Sequence, residues 1–325
     1  MNQSSEMNRD IRTGMFGALL LIRPYSIVGL FLLYFVAKVI ATKSIALDYK
    51  TFLLFTPVLL SWAFLTFLLE AEHKHSNRKQ VSHVYSAVSI LVAIILGIAW
   101  TKAESIIFAI VLAIFTVLYI KKNSVKVLGN LSFISRGFME LSIFFYSASL
   151  YVGGEILNNS FTVFGLIVLL ITSVRSLLGD IRDTKFDSFT FSKTFGYGIS
   201  YQISIMLYTL AAIFLYAATN SLEVIFPIIA IVVTLLFIDS GRIFHRLAVI
   251  LSSFVMANYI LFLANAPSII IVDILFICIL SNLVFYDAVP RESNPKEITS
   301  TRYGFIPWAT PNKEWTGQDK DAKNN

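Results

Sequence analysis

The chain has 325 residues, 56% of them hydrophobic and only 14% charged, whereas soluble domains run nearer 25% charged. That balance excludes an ordinary soluble domain. The net charge of +6 needs no nucleic acid to explain it, because contact with anionic lipid suffices.

Nearly uncharged stretches of about eighteen residues or more recur along the sequence, the length a helix needs to cross a bilayer. Backbone in lipid must satisfy its own hydrogen bonds, so such runs imply helices. The short alternating segments of a β-barrel are not seen. In chain order the expected spans are Met15–Ala41, Thr51–Glu70, His83–Thr101, Glu104–Ile120, Phe133–Gly153, Phe161–Leu178, Tyr197–Thr219, Leu222–Ile238, Ala248–Ala264 and Pro267–Tyr286. The expectation is an all-α polytopic membrane bundle of about nine to ten helices. The first apolar run is too long for a signal-peptide core and no small-residue cleavage site follows it, so it is read as a retained helix. Residues 1–14 form a cytoplasmic segment, 15–286 the membrane domain and 287–325 a polar cytoplasmic tail carrying Trp308 and Trp315. The single cysteine, Cys278, lies in an apolar run, so no disulfide within the chain is possible.

Charge sets the expected orientation. With the N-terminus inside, the inner segments hold Arg9, Arg12, Arg23, Lys74, Arg78, Lys79, Lys121, Lys122, Lys126, Arg182, Lys185, Lys193, Arg242 and Arg246. The outer loops hold Lys43, Lys50 and Lys102. This asymmetry predicts a multi-pass protein with both termini cytoplasmic.

The polar residues cluster on the inner side. After the sixth span the chain reads Arg175-Ser-Leu-Leu-Gly-Asp180-Ile-Arg-Asp183-Thr-Lys-Phe-Asp187. On a continuing helix, Asp180, Asp183 and Asp187 share one face. A carboxylate row repels itself unless cations sit within it, and Mg²⁺ binds through one or two carboxylates plus phosphate oxygens. The alternative is a solvated loop neutralised by Arg182 and Lys185. After the second span comes Glu70-Ala-Glu72-His73-Lys74-His75-Ser-Asn77-Arg78-Lys79. Glu and His at these spacings could hold a transition metal, but an interfacial loop anchored to headgroups fits them better. A third cluster, Tyr119-Ile-Lys121-Lys122-Asn123-Ser-Val-Lys126-Val-Leu-Gly129-Asn130, reads as a positive-inside loop. Arg136 and Glu140 stand one turn apart inside the fifth span and should face the bundle interior.

At these residues the sequence resembles the intramembrane prenyltransferases of the UbiA superfamily. Their second motif runs R-E-x-x-K-D-I-x-D-x-x-x-D, then K-T-L. Arg175, Asp180-Ile181, Asp183, Asp187 and Lys193-Thr194 fall at those spacings, with Ser176 for Glu, Gly179 for Lys and Phe195 for Leu. Arg23-Pro24, Tyr119 with Lys126, and Leu128-Gly129-Asn130 also match. The first motif, N-D-x-x-D-x-x-x-D, departs: Thr66 and Phe67 stand at N-D, Glu70 keeps a carboxylate, and Lys74 replaces the last Asp.

The resemblance implies a UbiA-like bundle and an enzyme that transfers, or cyclises, the prenyl group of an allylic prenyl diphosphate with Mg²⁺ as cofactor. Asp183 and Asp187 would be the main catalytic metal ligands, with Asp180 and Glu70 supporting. Lys74, Arg78, Tyr119, Lys126, Arg175 and Lys193 would contact diphosphate. The partners implied are the prenyl diphosphate donor, a lipophilic acceptor and membrane lipids. Lys74 either replaces one Mg²⁺ as a compact positive charge or snorkels to headgroups. The competing reading is a non-catalytic relative that binds or transports an isoprenoid lipid. A transporter would usually show inverted repeats and broken helices, and neither is clear.

Overall fold

The structure, a computed structural model, describes residues 24–73, 79–100, 104–152, 158–183, 188–237 and 241–265. Among these, nine long helices carry the fold: α1 (Pro24–Thr42), α2 (Tyr49–His73), α3 (Lys79–Trp100), α4 (Glu104–Ile120), α6 (Ser132–Val152), α7 (Asn159–Asp183), α9 (Tyr197–Thr219), α10 (Leu222–Phe237) and α11 (Gly241–Ala264). Two short helices, α5 (Lys126–Asn130) and α8 (Phe191–Phe195), and a 3₁₀ turn at Lys121–Asn123 lie between them. The described residues contain no strand.

Polarity is arranged for lipid rather than water. On α3 the exposed side chains are Val84, Tyr85, Val88, Leu91, Ile95 and Ile98, while Ser86, Ser89 and Ala93 are buried. On α4 Ile107, Ile110, Ile114 and Val117 face outward, and Ser105 and Thr116 face inward. On α9 the outward residues include Met206, Leu210 and Ile213, and the buried ones Ser200, Ser204 and Tyr208. Apolar stripes outside and small or polar residues inside are what membrane helices need, since lipid tails give no hydrophobic drive between helices. Among the described residues five stretches are long and apolar enough to cross a membrane: Tyr49–Leu69, Ser105–Asn123, Asn159–Ile181, Tyr197–Thr219 and His245–Ala264. Ser26–Thr42, His83–Leu96 and Leu222–Leu236 are shorter apolar helices. The chain is therefore an integral membrane protein.

Short connections make successive long helices antiparallel. The C-terminal ends of α2, α4, α7 and α10 and the N-terminal ends of α3, α6, α9 and α11 consequently gather at one end, here the basic end. Helices α6 and α7 form the centre. α6 packs against α1, α4 and α7, and α7 against α6, α9 and α11. α1 closes the bundle by packing on α6 and α11. Gly137 permits the close approach of α6 to α7: a Cβ there would lie 2.9 Å from both the Leu169 carbonyl oxygen and its Cδ1. Toward the far end the core is filled by Tyr34, Phe144, Tyr146, Phe161 and Phe164, all fully buried.

Each of the first nine expected spans overlaps one of the nine long helices, residues 15–23 of the first lying outside the described residues. The tenth, Pro267–Tyr286, lies outside the described residues, as do the terminal segments 1–14 and 287–325. Two boundaries differ instructively. α7 runs on to Asp183 rather than stopping at Leu178, and α11 begins at Gly241 rather than Ala248. Hydropathy marks where charges enter headgroups, whereas backbone hydrogen bonding sets the helix end. The helices α5 and α8 were not expected, because five residues carry too little periodicity to register.

Candidate functional site

The site is built at the basic end by two folded connections. In the first, the 3₁₀ turn and α5 carry the chain from α4 to α6. In the second, residues 188–196 carry it from α7 toward α9. The Thr190 side chain caps α8 by accepting from the Lys193 amide at 3.1 Å, a standard N-cap role for Thr. Asn123 Oδ1 accepts from the Ser188 amide at 3.0 Å, and Thr194 Oγ1 donates to Asn130 Oδ1 at 2.7 Å. Gly129 is needed where the two connections touch. A Cβ there would meet Phe189 Cβ at 2.5 Å, the Phe189 carbonyl oxygen at 2.6 Å and the Lys122 carbonyl oxygen at 2.8 Å. The rings of Phe133 and Phe191 meet edge-on, 5.4 Å between centroids.

Under this cover lies Asp180, 3% exposed. Lys122 Nζ approaches its Oδ1 at 3.4 Å, and Ser132 Oγ donates to its Oδ2 at 2.8 Å. Lys122 is itself buried and stands 5.1 Å from the centroid of the Tyr119 ring. A buried ion pair persists only when its remaining lone pairs are also satisfied, which the Ser132 hydroxyl does here. Gly179, which replaces the lysine of the resembling motif, faces His245 of α11: a Cβ would lie 3.2 Å from its Cδ2.

A second ionic group sits deeper. Glu140 of α6 accepts from Arg136 at 3.2 Å and from Arg175 of α7, both on Oε1. Its Oε2 accepts from Thr172 at 3.0 Å. The Arg136 guanidinium stands 4.9 Å from the Trp62 ring centroid on α2. Arg136 and Glu140 thus face the interior, as expected of ionisable groups inside a span. Arg175 precedes Asp180 by five residues, so it lies about 7.5 Å farther from the basic end.

The structure places the expected site residues unequally. Asp180, Tyr119 and Lys122 meet at one point; Lys126 and Lys193 sit on α5 and α8 of the covering connections. Arg175 is turned to Glu140. Asp183 is the last residue of α7 and Glu70 lies in the last turn of α2, but their side chains, with Lys74, Arg78 and Asp187, lie outside the described residues. Among the described residues there is no cluster of three or more metal-ligating side chains. The carboxylate of Asp180 is already neutralised by Lys122, so this donor set does not by itself fit a Mg²⁺ ion. Sequence reasoning missed Lys122, Ser132, Thr172 and Tyr208. Lys122 was visible only as one of two adjacent lysines in a basic loop, and nothing local tells which of them turns inward.

No family model matches the chain, and no curated protein matches it closely. In fold it is similar to a solved structure from work on digeranylgeranylglyceryl phosphate synthase in membranes, at 17% sequence identity and a TM-score of 0.54, over 77% of this chain and 98% of that one.

Proposed function

We propose that this protein is an intramembrane prenyltransferase that takes an allylic prenyl diphosphate at its basic end. The observation carrying this reading is the buried Lys122–Asp180–Ser132 set, roofed by two connections that bring further lysines to the same end. Charges are expensive inside a membrane protein and mark sites of function by default. The fold likeness to a synthase of membranes supports the same reading, and so does the Asp-rich segment from Asp180 to Asp187.

In this reading Lys74, Arg78, Lys126 and Lys193 gather about the diphosphate, with Tyr119 beside them. Asp183 and Asp187, supported by Glu70, would hold Mg²⁺, which supplies Lewis-acid stabilisation of the leaving diphosphate. Lys122 fixes Asp180 and keeps a positive charge at the mouth of the bundle. Lys74, one turn beyond Glu70, adds a further cation where the resembling motif has a carboxylate. Ionisation of the donor yields an allylic cation, which water would quench; an apolar bundle interior excludes water. An acceptor nucleophile, or the donor's own double bond in a cyclisation, then captures it. The Lys/Arg asymmetry supports a cytoplasmic basic end and cytoplasmic termini.

Diphosphate release from a panel of allylic prenyl diphosphates, with and without Mg²⁺, tests this. Turnover that disappears in Asp183→Asn and Asp187→Asn is the expected result. Tight donor binding with no release from any donor would favour the non-catalytic binder instead.

A further inference from the structure

The deep ionic group is not used by the diphosphate chemistry above, and it is incomplete. Glu140 shares its carboxylate between two guanidinium groups and Thr172. Arg175 reaches it through Oε1, while Thr172 takes Oε2, so the bidentate pair that guanidinium and carboxylate prefer is not formed between Arg175 and Glu140. Among the described residues Arg175 has one hydrogen-bond partner, Glu140, through one terminal nitrogen. Its side chain is 17% exposed, although α6 and α9 pack on either side of α7. That residual exposure leaves part of its fork uncovered by the described residues. Tyr208 of α9 is 2% exposed, and among the described residues its buried hydroxyl has no hydrogen-bond partner. It lies within electrostatic reach of the Arg175 charge. Counting along the helices puts Arg175 about 12 Å and Tyr208 about 16 Å from the basic end. A buried polar atom without a partner calls for an explanation. Here two donors with unused hydrogen-bonding capacity among the described residues, one of them cationic, occur at neighbouring depths in the bundle.

We propose that Arg175 and Tyr208 form a subsite for the small anionic group, a carboxylate or its like, of a lipophilic acceptor. Glu140 and Thr172 hold Arg175 in place, and the anion's oxygens take the remaining guanidinium donors and the tyrosine hydroxyl. Because Asp180 lies about 7.5 Å nearer the basic end, an acceptor anchored here presents its far portion toward the donor diphosphate. This assignment rests on the prenyl-transfer reading.

The test uses the full-length protein in detergent micelles, with dodecanoate, dodecanol and inorganic phosphate as probes. Dodecanoate should stabilise the wild type and bind at least tenfold more tightly than dodecanol, and phosphate should do neither. Tyr208→Phe removes a hydroxyl that has no partner among the described residues, so without probe its melting temperature should equal or exceed that of the wild type. The same variant should lose about tenfold in dodecanoate affinity, and Arg175→Lys should lose more. Equal binding of dodecanoate and dodecanol overturns the subsite, as does unchanged dodecanoate affinity in Tyr208→Phe. Phosphate competing as well as dodecanoate places the anion at the basic end and also overturns it. Donor turnover measured in the same preparations separates the two readings. Turnover without dodecanoate binding overturns the subsite alone. Dodecanoate binding without turnover leaves an anion site and overturns the prenyl-transfer reading on which the acceptor role rests.

Discussion

The two ends of the bundle are held together by different chemistry. At the end opposite the basic one, helix caps and single hydrogen bonds close the described structure. Tyr34 donates to the Thr51 carbonyl at 2.6 Å and pairs with the Tyr151 hydroxyl. Asp48 caps α2 through the Thr51 amide at 2.8 Å and the Thr51 hydroxyl at 2.5 Å. Three helices stop there on residues with positive φ, Lys43, Asn220 and Asn265, which ends a helix sharply. Lys38 is buried nearby, yet its ammonium reaches the Ala46 carbonyl just past the end of its own helix. In the basic half, by contrast, charges from different helices are buried against each other. Lys122 meets Asp180 over a sequence separation of 58, and Arg175 meets Glu140 over 35. Desolvating such pairs can cost more than their attraction returns. The far end is therefore closed by caps and single hydrogen bonds, whereas the basic half buries ion pairs that are costly to desolvate.

The sharpest way to break this contrast is Glu140→Ala. It leaves Arg136 and Arg175 without their shared carboxylate, and removal of one partner of a buried pair costs about 3–5 kcal/mol. Thermal unfolding in detergent should show this as a large fall in melting temperature. An unchanged melting temperature would mean the cluster is solvated and the contrast false.

Asp180→Asn sharpens the comparison, because it keeps a side chain that can still accept from Ser132. Diphosphate release per folded molecule should fall about a hundredfold, equivalent to about 2.7 kcal/mol of barrier. A lowered melting temperature with an unchanged rate would assign Asp180 to the scaffold. Gly129→Ala tests the cover itself. Its methyl group would intrude on Phe189 and on the Lys122 carbonyl, and overpacking of this kind costs about 1–3 kcal/mol. Loss of stability should be accompanied by weaker donor binding, since the same contact positions Lys122.

The smallest effect belongs to the far end. The Thr51 hydroxyl, then its amide, holds the Asp48 carboxyl below the ordinary carboxylate range. A depressed folded-state pKa stabilises above the unfolded value and is lost as pH falls through the folded one. Asp48→Ala should therefore lower the melting temperature slightly at neutral pH. The difference from the wild type should shrink progressively as the pH drops below about 4, with no change in donor turnover at any pH.

The sequence alone determined that this chain lives in a membrane as a helical bundle, because backbone in lipid leaves few alternatives and the apolar runs have bilayer length. It also marked Arg136 with Glu140 as inward-facing, since spacing on a helix is a local property. It could not tell which of Lys121 and Lys122 would be buried, that Arg175 would turn to Glu140 rather than toward the basic end, or that Tyr208 would lie near it with nothing to bond. Those outcomes depend on which helices become neighbours and how closely. The approach of α6 to α7 at Gly137 and the packing of α9 on α7 settle them. Charge pairing across helices is a property of tertiary contact, and no periodicity along one helix encodes its partner.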